Sequence, residues 1–245
     1  MGGLALVFWF WTFKRLPETL PLDKRRPLSM KGVTEGFRIV FTNRVAISYG
    51  LAGMFLFGAL FGFISSSQQI YVDIYGLGVY FPVAFALVAG LMAVSSFTNS
   101  KVVRGIGMRR LSHGAMLTFT VVSGIWLAFA MSGFLPLWLF FGLLCVIMFS
   151  FGWSASNMNS LSMEPLGAVA GTAASVFGFI QTVGGALIGG YIGQLFDGTT
   201  IPTAAGYFTM GVMALVFILI AEKGRLFGVG EQYADAKAEP VMEAH

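Results

Sequence analysis

The sequence predicts an all-α membrane protein with six transmembrane helices, preceded by the end of another helix. Hydrophobic residues make up 56% of the 245 residues and charged residues only 11%, and the mean hydropathy is +0.79. Soluble domains carry about 25% charged residues. A water-soluble fold of this length cannot bury so much apolar surface, so the composition indicates a membrane protein.

Six apolar runs are long enough to cross a bilayer, which takes about 20 residues. They cover positions 45–69, 78–98, 111–131, 136–157, 171–195 and 202–221. Strands of a membrane barrel would alternate in hydrophobicity over about ten residues. These runs are longer and apolar on all sides, which indicates helices. Several begin at or near a proline, which suits the first turn of a helix; these prolines are Pro82, Pro136, Pro165 and Pro202.

The connector NSKVVRGIGMRR, at positions 99–110, holds the basic residues Lys101, Arg104, Arg109 and Arg110 and no acidic residue. With six spans, every Lys and Arg of the chain falls on one side of the membrane. By the positive-inside rule that side is cytoplasmic, as are both ends of the six-span unit. The four charges hold a short inner loop against the anionic leaflet. Because the basic residues lie in short connectors rather than on one folded face, the net charge of +4 does not indicate nucleic-acid binding.

Three other segments flank the predicted six-helix part, which covers positions 45–227. Positions 1–13, MGGLALVFWFWTF, are too short to span and are predicted to be the residual end of a transmembrane helix, with something upstream missing. Positions 14–44 are polar and contain three prolines, which predicts a cytoplasmic linker with a surface helix near positions 30–41. Positions 228–245 are predicted to form a disordered cytoplasmic tail.

A basic linker followed by six spans, with a basic connector between the second and third, resembles the C-terminal half of a major facilitator superfamily transporter. RLPETLPLDKRRPLS, at positions 15–29, resembles the end of the sixth helix and the central linker of bacterial drug:proton antiporters. EPLGAVAGTAASVFGFIQTVGGALIG, at positions 164–189, resembles the entry to the eleventh helix in the Bcr/CflA-type drug-resistance subfamily. The resemblance implies two inverted three-helix repeats. It also implies that the proton-titrating carboxylate belongs to an N-terminal half.

By this resemblance, NSKVVRGIGMRR occupies the loop between the eighth and ninth helices. The superfamily has there a degenerate copy of its G-x-x-x-D-R-x-G-R-R/K motif. Gly107, Arg109 and Arg110 match it, whereas Arg104 stands where the aspartate would be and Gly105 where the first arginine would be. Because the acidic partner of the gating latch is absent from the loop, the sequence gives this loop no latch role.

Charged side chains are missing from the middle of the predicted spans, where an ionisable group would be a functional candidate. The acidic residues nearest the spans are predicted to be solvated boundary charges; they are Asp73, Glu164, Asp197 and Glu222. Gating at the inner mouth stays open as an alternative role for Glu164. His113, at the inner start of the third span, is predicted to be interfacial.

The candidate substrate-binding residues are uncharged. Gln181 lies near the middle of the fifth span, where an amide must face other helices or a water-filled cavity. Helix contact and cavity lining both remain open for it, and Gln68 is a candidate at the outer mouth. Deep aromatic rings could form a soft pocket for apolar compounds; these are Phe57, Phe61, Phe85, Phe149 and Phe177.

Glycines recur at four-residue spacing on two spans, which predicts close helix packing or sliding of one helix along another. They are Gly58 and Gly62 on the first span and Gly185, Gly189 and Gly193 on the fifth. The sequence contains no H-E-x-x-H motif, no G-x-S-x-G motif and no Cys/His cluster. No enzyme and no cofactor are therefore predicted.

Together these patterns predict a transporter of the bacterial inner membrane, in the form of its C-terminal half. The resemblance implies proton-coupled efflux of drugs or other small apolar compounds, driven by the proton gradient through alternating access. The expected partners are the lipid bilayer, a small-molecule substrate and a missing N-terminal six-helix half. The alternative is a truncated membrane protein that does not transport, either a partner subunit or an inert fragment.

Overall fold

The computed structural model describes residues 2–15 and 30–228, and within these ranges the chain is helical with no strand. The helices are α1 (Gly2–Arg15), α2 (Met30–Thr42), α3 (Arg44–Gln68), α4 (Phe81–Ile106), α5 (Met108–Met131), α6 (Leu137–Met163), α7 (Ala170–Phe179), α8 (Gly185–Gln194) and α9 (Ile201–Ala221). Two π-helical segments, Gln69–Ile74 and Ile180–Gly184, continue α3 and join α7 to α8. Residues 229–245 of the predicted disordered tail and residues 16–29 of the predicted linker lie outside the described residues.

The chain divides into two compact units, residues 1–35 and residues 36–245. In the first unit α1 has no buried residue, and its apolar rings stack on one another, with the Trp9 and Phe13 centroids 5.7 Å apart. At 14 residues α1 is shorter than a membrane span. A surface helix is predicted near positions 30–41, and α2 occupies that place.

Five helical runs among the described residues are long and apolar enough to cross a membrane, where the sequence predicts six. The predicted fourth and fifth spans belong to one helical run, Leu137–Gln194. A 3-10 segment, Glu164–Val169, interrupts this run, and Leu166 within it is not helical (φ −114°, ψ 21°). Pro165 has no backbone N–H to donate, so the α-helix cannot continue through it. The proline therefore makes a kinked turn rather than an open loop.

The predicted cytoplasmic loop at positions 99–110 is helical. α4 continues to Ile106 and α5 begins at Met108, so Gly107 is the one residue between them. Gly107 has φ +88° and ψ 149°, a conformation that favours glycine. The helices thus continue beyond the predicted span ends at positions 98 and 111, because apolarity and not helix propensity set those ends. At 26 residues α4 is about 39 Å long, longer than the hydrocarbon core of about 30 Å.

The core of the second unit forms around α3, which packs against α6, α8 and α9. α5 packs against α6 and α9, and α4 packs mainly against α6. The largest buried side chains of the main cluster include Trp126, Tyr207 and Phe119. A second, smaller cluster joins Val40 of α2 to Phe177 of α7. α3 is thus the helix from which most side chains of the bundle are positioned.

Glycines bring α3 and α8 into backbone contact. A Cβ added to Gly189 would lie 2.5 Å from the backbone nitrogen of Gly62 and 2.7 Å from the carbonyl oxygen of Gly58. A Cβ on Gly185 would lie 3.1 Å from the nitrogen of Gly58. One turn beyond, Gly193 faces Ser65 of α3. Helices can approach this closely only where small residues meet.

Candidate functional site

A partly buried ion-pair cluster forms where α5, α6 and α9 have charged ends. Arg109, in the first turn of α5, donates from Nη2 to Glu164 Oε2 at 2.7 Å and from Nε to Glu222 Oε1 at 3.0 Å. The side chains of Arg109, Glu164 and Glu222 are 14%, 20% and 9% exposed. One guanidinium therefore connects the residue that follows α6 to the residue that follows α9. We call Arg109, Glu164 and Glu222 the charged cluster.

Tyr49 and His113 extend the charged cluster into the bundle. The Tyr49 hydroxyl donates to Glu222 Oε1 at 2.7 Å and lies 2.8 Å from His113 Nε2. The backbone N–H of Phe227 donates to His113 Nδ1 at 3.0 Å. Because Nδ1 accepts that bond, the neutral ring carries its proton on Nε2 and donates to Tyr49. This order of bonds is inferred from the partners, and it connects α3, α5 and the segment after α9.

The structure corrects three predictions made from the sequence. Glu164 and Glu222 are not solvated boundary charges, because each is paired with Arg109. His113 is not interfacial, because its side chain is fully buried. Hydropathy treats the end of a span as the water boundary, whereas these helix ends pack against one another. Glu164 in the connector before the fifth predicted span, Glu222 just after the sixth and Arg109 just before the third were the signal in the sequence.

The other basic residues of the predicted connector do not join the charged cluster. Lys101 Nζ lies 4.5 Å from the centroid of the Phe97 ring on its own helix. Arg104 and Arg110 are exposed. Their predicted role in membrane topology stays a prediction.

Gln181 lies on the π-helical segment Ile180–Gly184 and is 8% exposed. A Cβ added to Gly53 would lie 2.6 Å from Gln181 Nε2, so the amide packs against the backbone of α3. Within residues 2–15 and 30–228 this amide makes no hydrogen bond. Single-turn π segments inside α-helices occur often at functional sites. The amide is therefore available to a polar group that approaches along α3.

Two of the candidate phenylalanines lie beside Gln181 along the crossing of α3 with α8. A Cβ added to Gly185 would lie 3.0 Å from the Cβ of Phe57. A Cβ added to Gly189 would lie 2.6 Å from the Cβ of Phe61. The Phe57 ring meets Phe151 of α6 in an edge-to-face contact with 5.8 Å between centroids. Gln181, Phe57 and Phe61 thus follow one face of α3.

Of the remaining candidates, Phe177 packs its ring against Gly50 of α3, one turn before Gly53 and on the same face, whereas the others do not reach that face. Phe85 stacks on Phe63 with centroids 5.0 Å apart. Phe149 lies 5.2 Å from Trp153 and lines a groove beside α4 and α5. Phe177 is fully buried in the smaller core cluster, and Gln68 is exposed at the end of α3.

Sequence reasoning missed a polar contact between α4 and α6. Asn157 Nδ2 donates to Asn99 Oδ1 at 2.8 Å, and both side chains are buried. Trp153 Nε1 donates to Thr98 Oγ1 at 3.0 Å on the same helix pair. Asn99 was assigned to a loop, so its pairing could not be seen without knowing that α4 continues through it.

Five helical runs among the described residues that are long and apolar enough to cross a bilayer indicate a membrane protein. The sequence profile of the Major Facilitator Superfamily matches residues 1–189, and the chain belongs to this superfamily. It is 30% identical over 223 residues to a bicyclomycin resistance protein homolog of Haemophilus influenzae, which covers 88% of this chain and 52% of that protein. It is 26% identical over 203 residues to an uncharacterised MFS-type transporter, YdgK, of Bacillus subtilis, which covers 81% of this chain and 49% of that protein.

The chain thus spans about half the length of the curated relatives it matches. No solved structure matches it. The family match identifies a membrane protein of a transporter superfamily. Its substrate, its energy source and its partners are proposals.

Proposed function

We propose that this chain is the C-terminal six-helix half of a proton-coupled exporter of small apolar compounds in a bacterial inner membrane. The observation that carries the proposal is the family match, together with the identity to a protein named for bicyclomycin resistance. The chain matches about half of that relative, which is consistent with one of two halves. The helix order α3, α4, α5 and then α6, α7–α8, α9 supports two three-helix repeats.

In this proposal the fourth and fifth spans are separate. The continuous run Leu137–Gln194 has 58 residues, which is far longer than one crossing requires. Its break at Glu164–Val169 divides it into parts of 27 and 25 residues, so each part is long enough to span. Both parts pack against α3, which supports a chain that turns back at Pro165.

Gln181, Phe57 and Phe61 form the substrate-facing surface of the proposed half. Two aromatic rings and one amide without a hydrogen bond among the described residues suit an apolar compound with one polar group. The glycine contacts beneath these side chains keep α3 and α8 close, so the three residues move as one surface.

The charged cluster closes one end of the proposed half. Alternating access requires the halves to rock about the substrate site, and the helix ends must then hold their relative positions. Arg109 provides this connection through two carboxylates that come from different helices. A latch role, which the sequence did not give to this connector, is thus supported by partners outside it.

The alternative is a membrane protein that does not transport, acting as a partner subunit or as an inert fragment. An efflux measurement separates the two functions. The chain is expressed alone, and also joined to a six-helix N-terminal half of a similar transporter, in cells that lack their own pumps. Accumulation of chloramphenicol and of a fluorescent cation is followed with and without a protonophore.

If the joined form lowers accumulation and the protonophore abolishes the effect, the exporter proposal is supported. In that form Gln181→Ala should weaken export, whereas Gln194→Ala, at the exposed end of α8, should leave it unchanged. A joined form that inserts normally and exports neither compound would favour the non-transporting alternative.

A further inference from the structure

We propose that the groove between α4 and α5 binds one anionic phospholipid, with an acyl chain lying over α6 and the phosphate against Arg110. The groove has a volume of about 470 Å³ and lies on the second unit. This inference rests on the membrane-embedded fold and not on the proposed transport activity.

The groove exists because α4 and α5 diverge from Gly107. Each packs against α6, but the two helices make few contacts with each other. The floor is formed by α6 residues, among them Cys145, Phe149 and Trp153. Gly114 of α5 lines the groove, and a Cβ added to it would meet no atom within 4 Å. The space between the helices is therefore open and apolar.

A second cavity, of about 370 Å³, lies next to the groove beside Arg110. Ile106 and Arg110 line both cavities, so the two share a wall. An amphipathic molecule can occupy both, with its polar part in the second cavity and its apolar part in the groove.

The charge at this polar end is positive. Arg110 is exposed and forms no ion pair within the part of the chain that the structure describes. Glu164 also lines the second cavity, and its carboxylate is paired with Arg109, which it shares with Glu222. The charged cluster therefore carries one net negative charge against the two positive charges of Arg104 and Arg110. Arg104 is exposed on the last turn of α4. A phosphate there would be held by a guanidinium that can donate two parallel hydrogen bonds.

The groove extends along the helices, in the direction of an acyl chain. Arg110 and Thr118 both line it, and eight residues of α5 separate them, a rise of about 12 Å. The neighbouring surface of α4 presents exposed apolar side chains, including Leu87, Val94 and Phe97. In a bilayer such a surface contacts lipid, so a lipid enters the groove from the side without crossing water.

Native mass spectrometry of the whole chain tests the proposal. The protein is purified from vesicles that contain equal amounts of phosphatidylglycerol and phosphatidylcholine with the same acyl chains, and the retained lipids are counted. We expect one retained lipid per chain, with phosphatidylglycerol enriched about fivefold, which corresponds to roughly 1 kcal/mol for one basic residue near the membrane surface.

Two variants separate the phosphate contact from the groove. Arg110→Gln should remove the preference for phosphatidylglycerol, whereas Arg38→Gln, an exposed arginine that lines neither cavity, should keep it. Gly114→Leu should fill the groove and lower retention of both lipids. Gly142→Leu, an exposed glycine of α6 outside the groove, is its matched control.

A second readout follows Trp153, which lines the groove and is held by Thr98. Phospholipids with brominated acyl chains should quench its fluorescence more strongly as phosphatidylglycerol than as phosphatidylcholine, and the difference should be lost in Trp153→Phe. Equal retention and equal quenching by the two lipids in the unaltered chain would overturn the proposal. A phosphatidylglycerol preference that Arg110→Gln leaves unchanged would also overturn the proposal. If Gly114→Leu fails to fold, the result for Arg110→Gln alone tests the proposal.

Discussion

Gly189 of α8 faces Gly62 of α3 so closely that a Cβ on Gly189 would lie 2.5 Å from the Gly62 backbone nitrogen. Real Cβ atoms do not approach backbone nitrogen at this distance, so the helices must separate if a larger residue replaces this glycine. Since Gln181, Phe57 and Phe61 lie along the same crossing, their relative positions depend on this contact.

Gly189→Ala should destabilise the bundle by about 1–3 kcal/mol, because the added methyl group meets backbone that cannot rotate away. Thermal unfolding in detergent measures the change as a lower Tm. Gly190→Ala, one residue along, would place its Cβ in open space and should leave the Tm within error of the unaltered protein. Equal effects of the two substitutions would contradict the close crossing.

Arg109→Met should lower stability by about 1–3 kcal/mol, because Glu164 and Glu222 would be left partly buried without their shared partner. The partial exposure of the pair keeps the expected loss below that of a fully buried ion pair. Denaturant unfolding measures it, with Arg104→Met as the exposed control. The loss caused by Arg109→Met should be smaller in a chain that already carries Glu164→Gln, and strict additivity of the two changes would argue against the contact.

Tyr49→Phe should lower stability by about 1 kcal/mol, since one hydroxyl bridges His113 and Glu222. The aromatic ring is retained, so packing is unchanged and the loss reports the hydrogen bonds. Tyr191→Phe alters an exposed ring and serves as the control. If both variants unfold at the same denaturant concentration as the parent, the hydroxyl does not connect the two groups.

Asn99 and Asn157 should show coupling in a double-mutant cycle. Alanine at either position removes the amide contact between α4 and α6, so the double variant should lose less than the sum of the singles. Interhelical polar contacts in membranes couple by about 0.6 kcal/mol on average, with about 1.7 kcal/mol as the upper value. Unfolding free energies of the four proteins give this number, and Asn159→Ala, exposed on the same helix, should show no coupling to Asn99→Ala.

Hydropathy predicted the class of the fold well, because lipid requires long apolar helices. It could not locate the ends of those helices: α4 continues through Lys101 and Arg104 since helical hydrogen bonds do not require apolar side chains. It placed a separation near Pro165 but could not show that the connection is a short 3-10 turn.

The candidate site was predicted only in part. The four-residue glycine spacing on two helices predicted close packing, and Gly62 and Gly189 make such a contact. The deep position of Gln181 predicted that its amide faces another helix or a cavity, and it packs on α3. The charged cluster could not be derived in the same way. Arg109, Glu164 and Glu222 are far apart in sequence, and only the packing of α5, α6 and α9 brings them together.

Gly107 alone joins α4 to α5. Any change in the tilt of α4 relative to α5 must therefore be taken up by the dihedral angles of this glycine. Asn99 of α4 contacts α6, and Arg109, the second residue of α5, binds two carboxylates. Only Gly107 separates the two helices that carry these contacts. A longer connector would place more rotatable bonds between Asn99 and Arg109 than this one does.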